Sequence, residues 1–98
     1  MINKDKVIKV IYKALDEINE QLPKEKRLTK SPETQIFGNG QGLDSLGFVN
    51  FIVAIEQGIE KDFGVNVVMA ENEEMLDFNT VEGLADRLND LLEKRSHG

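Results

Sequence analysis

The residues with the most chemistry in reach are Gly42-Leu43-Asp44-Ser45-Leu46. A glycine-rich stretch, Gly38-Asn39-Gly40-Gln41-Gly42, delivers a serine to what reads as the first turn of a strongly amphipathic helix. A helix N-terminus presents unpaired N–H groups and a partial positive charge, which suits a phosphate carried on that serine. Asp44 stands beside it and could help hold a metal ion or a basic group of a partner. The plainer reading is that Asp44 and Ser45 only start a helix, since both are favoured caps. That reading leaves three features without a reason: the long loop before the serine, an extra apolar line after it, and the acidity of this half of the chain.

Other chemistries find no support. The chain has no cysteine, so a disulfide scaffold, a thiolate metal site and a cysteine nucleophile are excluded. Its one histidine, His97, is second from the end and reads as a tail residue, which leaves no triad and no multi-histidine metal site. Gly38-x-Gly40-x-Gly42 is similar to a phosphate-binding loop. However, no strand precedes it, the spacing differs from Gly-x-Gly-x-x-Gly, and no Gly-Lys-Ser/Thr follows. Glu71, Glu73, Glu74 and Asp77 lack the twelve-residue calcium-loop pattern and read as a solvated face or a partner contact. With no nucleophile–base pair and no metal set, the chain is not expected to be an enzyme in its own right.

The elements that must position Ser45 are legible from periodicity. Val7, Ile11, Ala14, Leu15, Ile18 and Leu22 form one helical stripe over residues 4–22, and Pro23 ends it. Residues 23–44 form a long connection that holds both prolines and three of the eight glycines; Ile36 and Phe37 read as its anchor. Over 45–63, Phe48, Phe51, Ile52, Ile55, Ile59 and Phe63 follow helical spacing, with Gly64 as the stop. Leu46, Val49 and Val53 form a second apolar line on the same helix, so it either packs on two sides or packs on one and binds with the other. Gly58 inside it costs roughly 1 kcal/mol relative to alanine and points to a kink or a close helix crossing.

Residues 65–70 read as a short extended stretch, and 71–78 have room for a two-turn helix. Thr80 is a good N-cap, and Val81, Leu84, Ala85, Leu88, Leu91 and Leu92 carry a last helix to about residue 93. The expected fold is all-α: a small four-helix bundle of three main helices and a short third helix, with a long loop between the first and second. Strand signals are too few for a sheet. The 98 residues make one domain, with an ordered core over about 4–93.

Charge constrains the partners. The net charge is −6, which disfavours nucleic acid. It divides unevenly, +3 over residues 1–32 and −9 over 33–98, so the second part should attract basic protein surfaces. No signal-peptide core or membrane-crossing run is visible, so no membrane insertion is expected, the cytoplasm is the default and a monomer is anticipated.

Leu43-Asp44-Ser45-Leu46 at the start of a long second helix resembles the attachment motif of acyl carrier proteins. The resemblance extends in order through Phe63-Gly64-Val65, a short third helix and Thr80-Val81-Glu82-Gly83-Leu84-Ala85. It implies that a phosphopantetheinyl transferase moves 4′-phosphopantetheine from coenzyme A to Ser45. The arm's thiol would then carry acyl groups as thioesters, in fatty acid or lipid biosynthesis. The missing cysteines fit, because the cofactor supplies the sulfur. By matching positions, Asp44 and Leu46 would flank the arm. Leu46, Val49 and Val53 would face acyl-loading and acyl-transferring enzymes with basic surfaces, with Glu56 and Glu60 adding charge. Phe51, Ile52, Ile55 and Ile59 would face inward. Against the family pattern, Gly47 and Asn50 replace polar or acidic residues, and the second helix is longer by about one turn of four residues. These departures point to a specialised carrier. Two alternatives share the sequence features: an aminoacyl or peptidyl carrier (the D-alanyl type included) with the same arm, and an acidic helical interaction module without a prosthetic group.

Overall fold

Recurrence of apolar residues at three- and four-residue steps folds the start of the chain into a helix, α1 (Lys4–Gln21). Its buried face is Val7, Val10, Ile11, Ala14, Leu15 and Ile18. Val10 lies off the stripe drawn from sequence but is 1% exposed, because a second helix crosses above it. A computed structural model describes residues 4–38, 41–69 and 78–97. In it α2 spans Ser45–Phe63 and α3 spans Val81–His97. The bounds of α1 and α2 agree with the periodicity to within a residue. α3 runs four residues beyond the end expected from its apolar stripe, so the backbone of His97 is helical rather than a tail.

The three helices share one core. α2 contributes Phe51, Ile52, Ile55 and Ile59, and α3 contributes Val81, Leu84, Ala85, Leu88 and Leu92. The connections add Ile36, Leu43, Val67, Met69 and Phe78. Among the described residues no polar or charged residue is buried as a whole, so the fully buried side chains are apolar. The fold is a small all-helical bundle with three long helices. The expected short helix over 71–78 falls almost wholly outside the described residues, and a fourth helix is not part of the described fold.

The connection between α1 and α2 is held at several points. Asn19 and Leu28 exchange two hydrogen bonds, Leu28 N–H to Asn19 Oδ1 at 2.8 Å and Asn19 Nδ2 to the Leu28 carbonyl at 2.9 Å. A single 3₁₀ turn, Lys24–Lys26, follows Pro23. The loop then caps α3: Val81 N–H donates to the Thr34 carbonyl and Glu82 N–H to the Pro32 carbonyl. These are two of the N–H groups that a helix start leaves without internal partners. Thr80 Oγ1 takes a third, from Gly83 N–H at 3.2 Å, as its N-cap position requires.

Two strands of two residues each, β1 (Phe37–Gly38) and β2 (Gln41–Gly42), pair antiparallel within the glycine-rich stretch. The sequence carries no strand signal there, and its expectation of no sheet is corrected by this small ladder. Pairing is imposed from both sides by burial. Ile36 and Leu43 are 0% and 5% exposed, and Leu43 N–H donates to the Ile36 carbonyl at 2.8 Å. Ile36 N–H in turn donates to the Asn79 carbonyl at 2.6 Å. Of the anchor expected at Ile36 and Phe37, Ile36 is buried, the side chain of Phe37 lies outside what the structure describes, and Leu43 joins Ile36 in the core just before Asp44 opens α2.

Candidate functional site

Leu43 is buried and Asp44 is exposed, so the chain turns outward between them. Asp44 is the N-cap of α2, with extended backbone (φ −75°, ψ 179°). Its Oδ1 accepts the Gly47 N–H at 2.7 Å, and its carbonyl accepts the Phe48 N–H at 2.8 Å. Ser45 is the first residue of the helix. The backbone N–H groups of Ser45 and Leu46 have no carbonyl four residues back within the helix, so the positive end of α2 is available there.

Gly47 sits close against the cap. A Cβ at this position would sit 3.1 Å from Asp44 Oδ1 and 3.5 Å from Leu43 Cβ. The contact is tight, and an added side chain would shift the exposed Asp44 carboxylate by a few tenths of an ångström.

From the serine onward α2 has two apolar faces. Phe51, Ile52, Ile55 and Ile59 are all 3% exposed or less. Leu46, Val49 and Val53 are 71%, 56% and 42% exposed, so they do not belong to the core. Val68, in the connection after α2, is 51% exposed and is not singled out by the sequence pattern above. A signal exists all the same: Val67 and Met69 on either side are buried, so exposure alternates as in an extended chain. Of the extended stretch expected at 65–70, the described residues 65–69 show this alternation and are not assigned to a strand.

The two glutamates expected to add charge differ. Glu60 is exposed. Glu56 is half-buried, and its Oε2 accepts the Met69 N–H at 2.6 Å. It ties the connection after α2 back onto the helix, a role that sequence spacing does not reveal. Phe48 is half-buried against Phe78, ring centroids 5.7 Å apart.

The far end of α2 is closed by Gly64 in the left-handed conformation (φ 68°, ψ 22°), whose N–H donates to the Glu60 carbonyl at 2.9 Å. Gly58 is explained by close approach: a Cβ there would lie 2.8 Å from Val10 Cγ1. Among the described residues no group of three His, Cys, Asp or Glu could hold a metal ion. The acidic group at 71–77 lies outside them. No described helix is long and apolar enough to cross a membrane.

The site is therefore a capped, outward-facing helix start followed by an exposed apolar line. Its fit to a phosphate ester on Ser45 rests on the donor set of a helix start, the backbone N–H groups of residues 45 and 46 that α2 itself does not pair. No protein-family model matches the chain, and no curated protein or solved structure is significantly similar to it.

Proposed function

We propose that the protein is a carrier that holds acyl groups as thioesters on a 4′-phosphopantetheine arm attached to Ser45. The observation that carries this reading is the placement of Ser45. It opens a 19-residue helix directly after its cap, and an exposed apolar line begins one residue later at Leu46. A cap alone does not require Leu46, Val49 and Val53 to face solvent, because exposed apolar side chains in a row mark a binding surface. On this reading Ser45 is an acceptor, and its proton is taken by the transferase.

In loading, a bond forms between Ser45 Oγ and phosphorus while the pyrophosphate P–O bond of coenzyme A breaks. The adenosine bisphosphate leaves with the electron pair. The arm supplies the thiol that the chain lacks. This chain's own residues do three things. Asp44 fixes the first turn through Gly47. The N–H groups at 45 and 46 would hold the phosphate of the arm. Leu46, Val49 and Val53 offer apolar area to the loading and transferring enzymes, with Glu60 adding negative charge for basic partner surfaces. The short third helix of the four-helix reading belongs to this proposal, as does a specialised rather than housekeeping role.

The test is intact-protein mass after incubation with coenzyme A, magnesium and a broad-specificity phosphopantetheinyl transferase. The parent is expected to gain one phosphopantetheine and Ser45→Ala none. A folded parent that gains nothing with several transferases would instead leave Ser45 as a helix start on an acidic interaction module.

A further inference from the structure

We propose that the cleft between α1 and the C-terminal half of α2 is a second docking surface, one that takes an acidic segment of a partner protein. The proposal concerns the opposite end of α2 from Ser45 and does not depend on the carrier reading.

The chain carries a net charge of −6, yet four ammonium groups gather at one place. Lys6, Lys9 and Lys13 follow one another at steps of three and four along α1, so they share a face. Lys61 joins them from the last turn of α2. All four are exposed, and together with Asp62 they line a concavity of about 400 Å³. An adjoining cleft of about 270 Å³ shares Lys13, Lys61 and Asp62 with it and continues between the helices. Its floor is low because the residues there are small, Ala14, Ala54 and Gly58.

The negative groups lining the two concavities are Asp62 and Glu17. Asp62 lies 3.8 Å from Lys13, a long contact with one of the four. Lys6, Lys9 and Lys61 have no carboxylate within ion-pair distance among the described residues. This differs from Lys4 and Lys30, which pair with Asp86 at 2.6 Å and Asp16 at 3.1 Å. The cleft is thus a local positive site on a negative molecule.

Shape selects the occupant. The surface is concave, so a flat anionic membrane would not reach its floor, and the rest of the −6 chain would be repelled by it. The concavity is open and its rim is charged, unlike the enclosed apolar pockets that hold small molecules. An extended or helical segment bearing several carboxylates fits both the groove and the charges, and lysines suit carboxylates as point charges. Lys61 lies sixteen residues along α2 from Ser45, about 24 Å at the helical rise. A partner held at the cleft leaves Ser45, Leu46 and Val49 free to meet another protein.

The experiment uses the full chain, labelled for amide NMR, titrated with a soluble polyglutamate peptide at low salt. Amide shifts are expected to cluster at residues 6–13 and 57–63. Replacing Lys6, Lys9, Lys13 and Lys61 with glutamine should weaken binding by about tenfold or more. Removing the same number of charges elsewhere, at Lys24, Lys26, Arg27 and Lys94, should change it by no more than about twofold. A milder pair, Lys9→Gln with Lys61→Gln, should fall between them. Circular dichroism checks that each variant stays folded, and Ser45→Ala should bind like the parent. Equal losses in the two fourfold variants, shifts spread over the whole chain, or no binding would overturn the proposal. So would tighter binding to vesicles containing anionic lipid than to the peptide. Self-association of the parent at low salt that disappears in the cleft variant would overturn it in favour of a second copy of this chain.

Discussion

Two apolar lines run along α2, and they have opposite fates. Phe51, Ile52, Ile55 and Ile59 are buried in the core that the helices share, while Leu46, Val49 and Val53 stay exposed. The two sets are chemically alike and lie on one helix. What separates them is whether another element covers that side. Full burial of an aliphatic side chain is worth roughly 1.5–3 kcal/mol, and the outer line forgoes most of it. A helix of this size that leaves three apolar side chains uncovered beside a serine has surface available for a partner.

The largest effect should come from the inner line. Ile55→Ala is expected to lower the free energy of unfolding by about 2–5 kcal/mol in urea titration. Val53→Ala, two residues earlier on the outer line, should change it by no more than about 0.5 kcal/mol. Transferase loading should show the opposite ranking among variants that remain folded, with Val53→Ala slowing it. Equal losses of stability would mean that the outer line is core after all.

Gly58 tests the packing beneath the inner line. Gly58→Ala gains up to about 1 kcal/mol in helix propensity but forces a Cβ to 2.8 Å from Val10 Cγ1. Overpacking of this kind costs roughly 1–3 kcal/mol, so a net loss of about 1 kcal/mol is expected. Val10→Ala should relieve it, and a double-mutant cycle in urea should give a favourable coupling between the two alanines. Additive effects would place the crossing elsewhere.

The start of the outer line rests on the cap. Asp44→Ala should cost about 1 kcal/mol, whereas Asp44→Asn, an equally good cap, should leave the urea midpoint nearly unchanged. If loading by the transferase nevertheless falls in Asp44→Asn, the carboxylate acts through its charge as well as by holding Gly47 N–H. Full loading of the asparagine variant would confine Asp44 to capping.

The smallest effect is at the molecule's edge. Its hydrogen bond to Asp86 raises the Lys4 pKa above 10.5, and the neighbouring charges of Asp86 and Glu82 add to this. Whatever the pair contributes to stability is complete below that value and fades as alkaline pH rises through the raised pKa. The urea midpoints of the parent and Asp86→Asn should therefore converge at strongly alkaline pH. A gap that widens there would reverse the sign.

Much of the site is legible in the amino-acid sequence. Helix bounds follow from periodicity because the apolar spacing of α1 and α2 is regular and because Pro23 and Gly64 end them chemically. The assignment of Leu46, Val49 and Val53 to an outer face comes with the family resemblance, and helical spacing alone leaves both faces of α2 open. Val10 and Glu56 escape sequence reasoning for a common reason. Each owes its environment to a segment distant in sequence: Gly58 over Val10, and the Met69 N–H on Glu56. The small β1–β2 ladder escapes it too, because the ladder follows from the burial of Ile36 and Leu43, and strand propensity has no part in it.

By itself, the sequence determined where α1 and α2 form and end, that Asp44 and Ser45 begin the second of them, and how charge divides along the chain. These depend on local spacing, capping and composition, which act within a few residues. Tertiary structure decided which apolar line is covered, which glycine makes room for a neighbour, which glutamate is tied down, and that four lysines from two helices share one cleft. Burial and electrostatic focusing depend on what other elements stand opposite, and neighbours along the chain do not specify that.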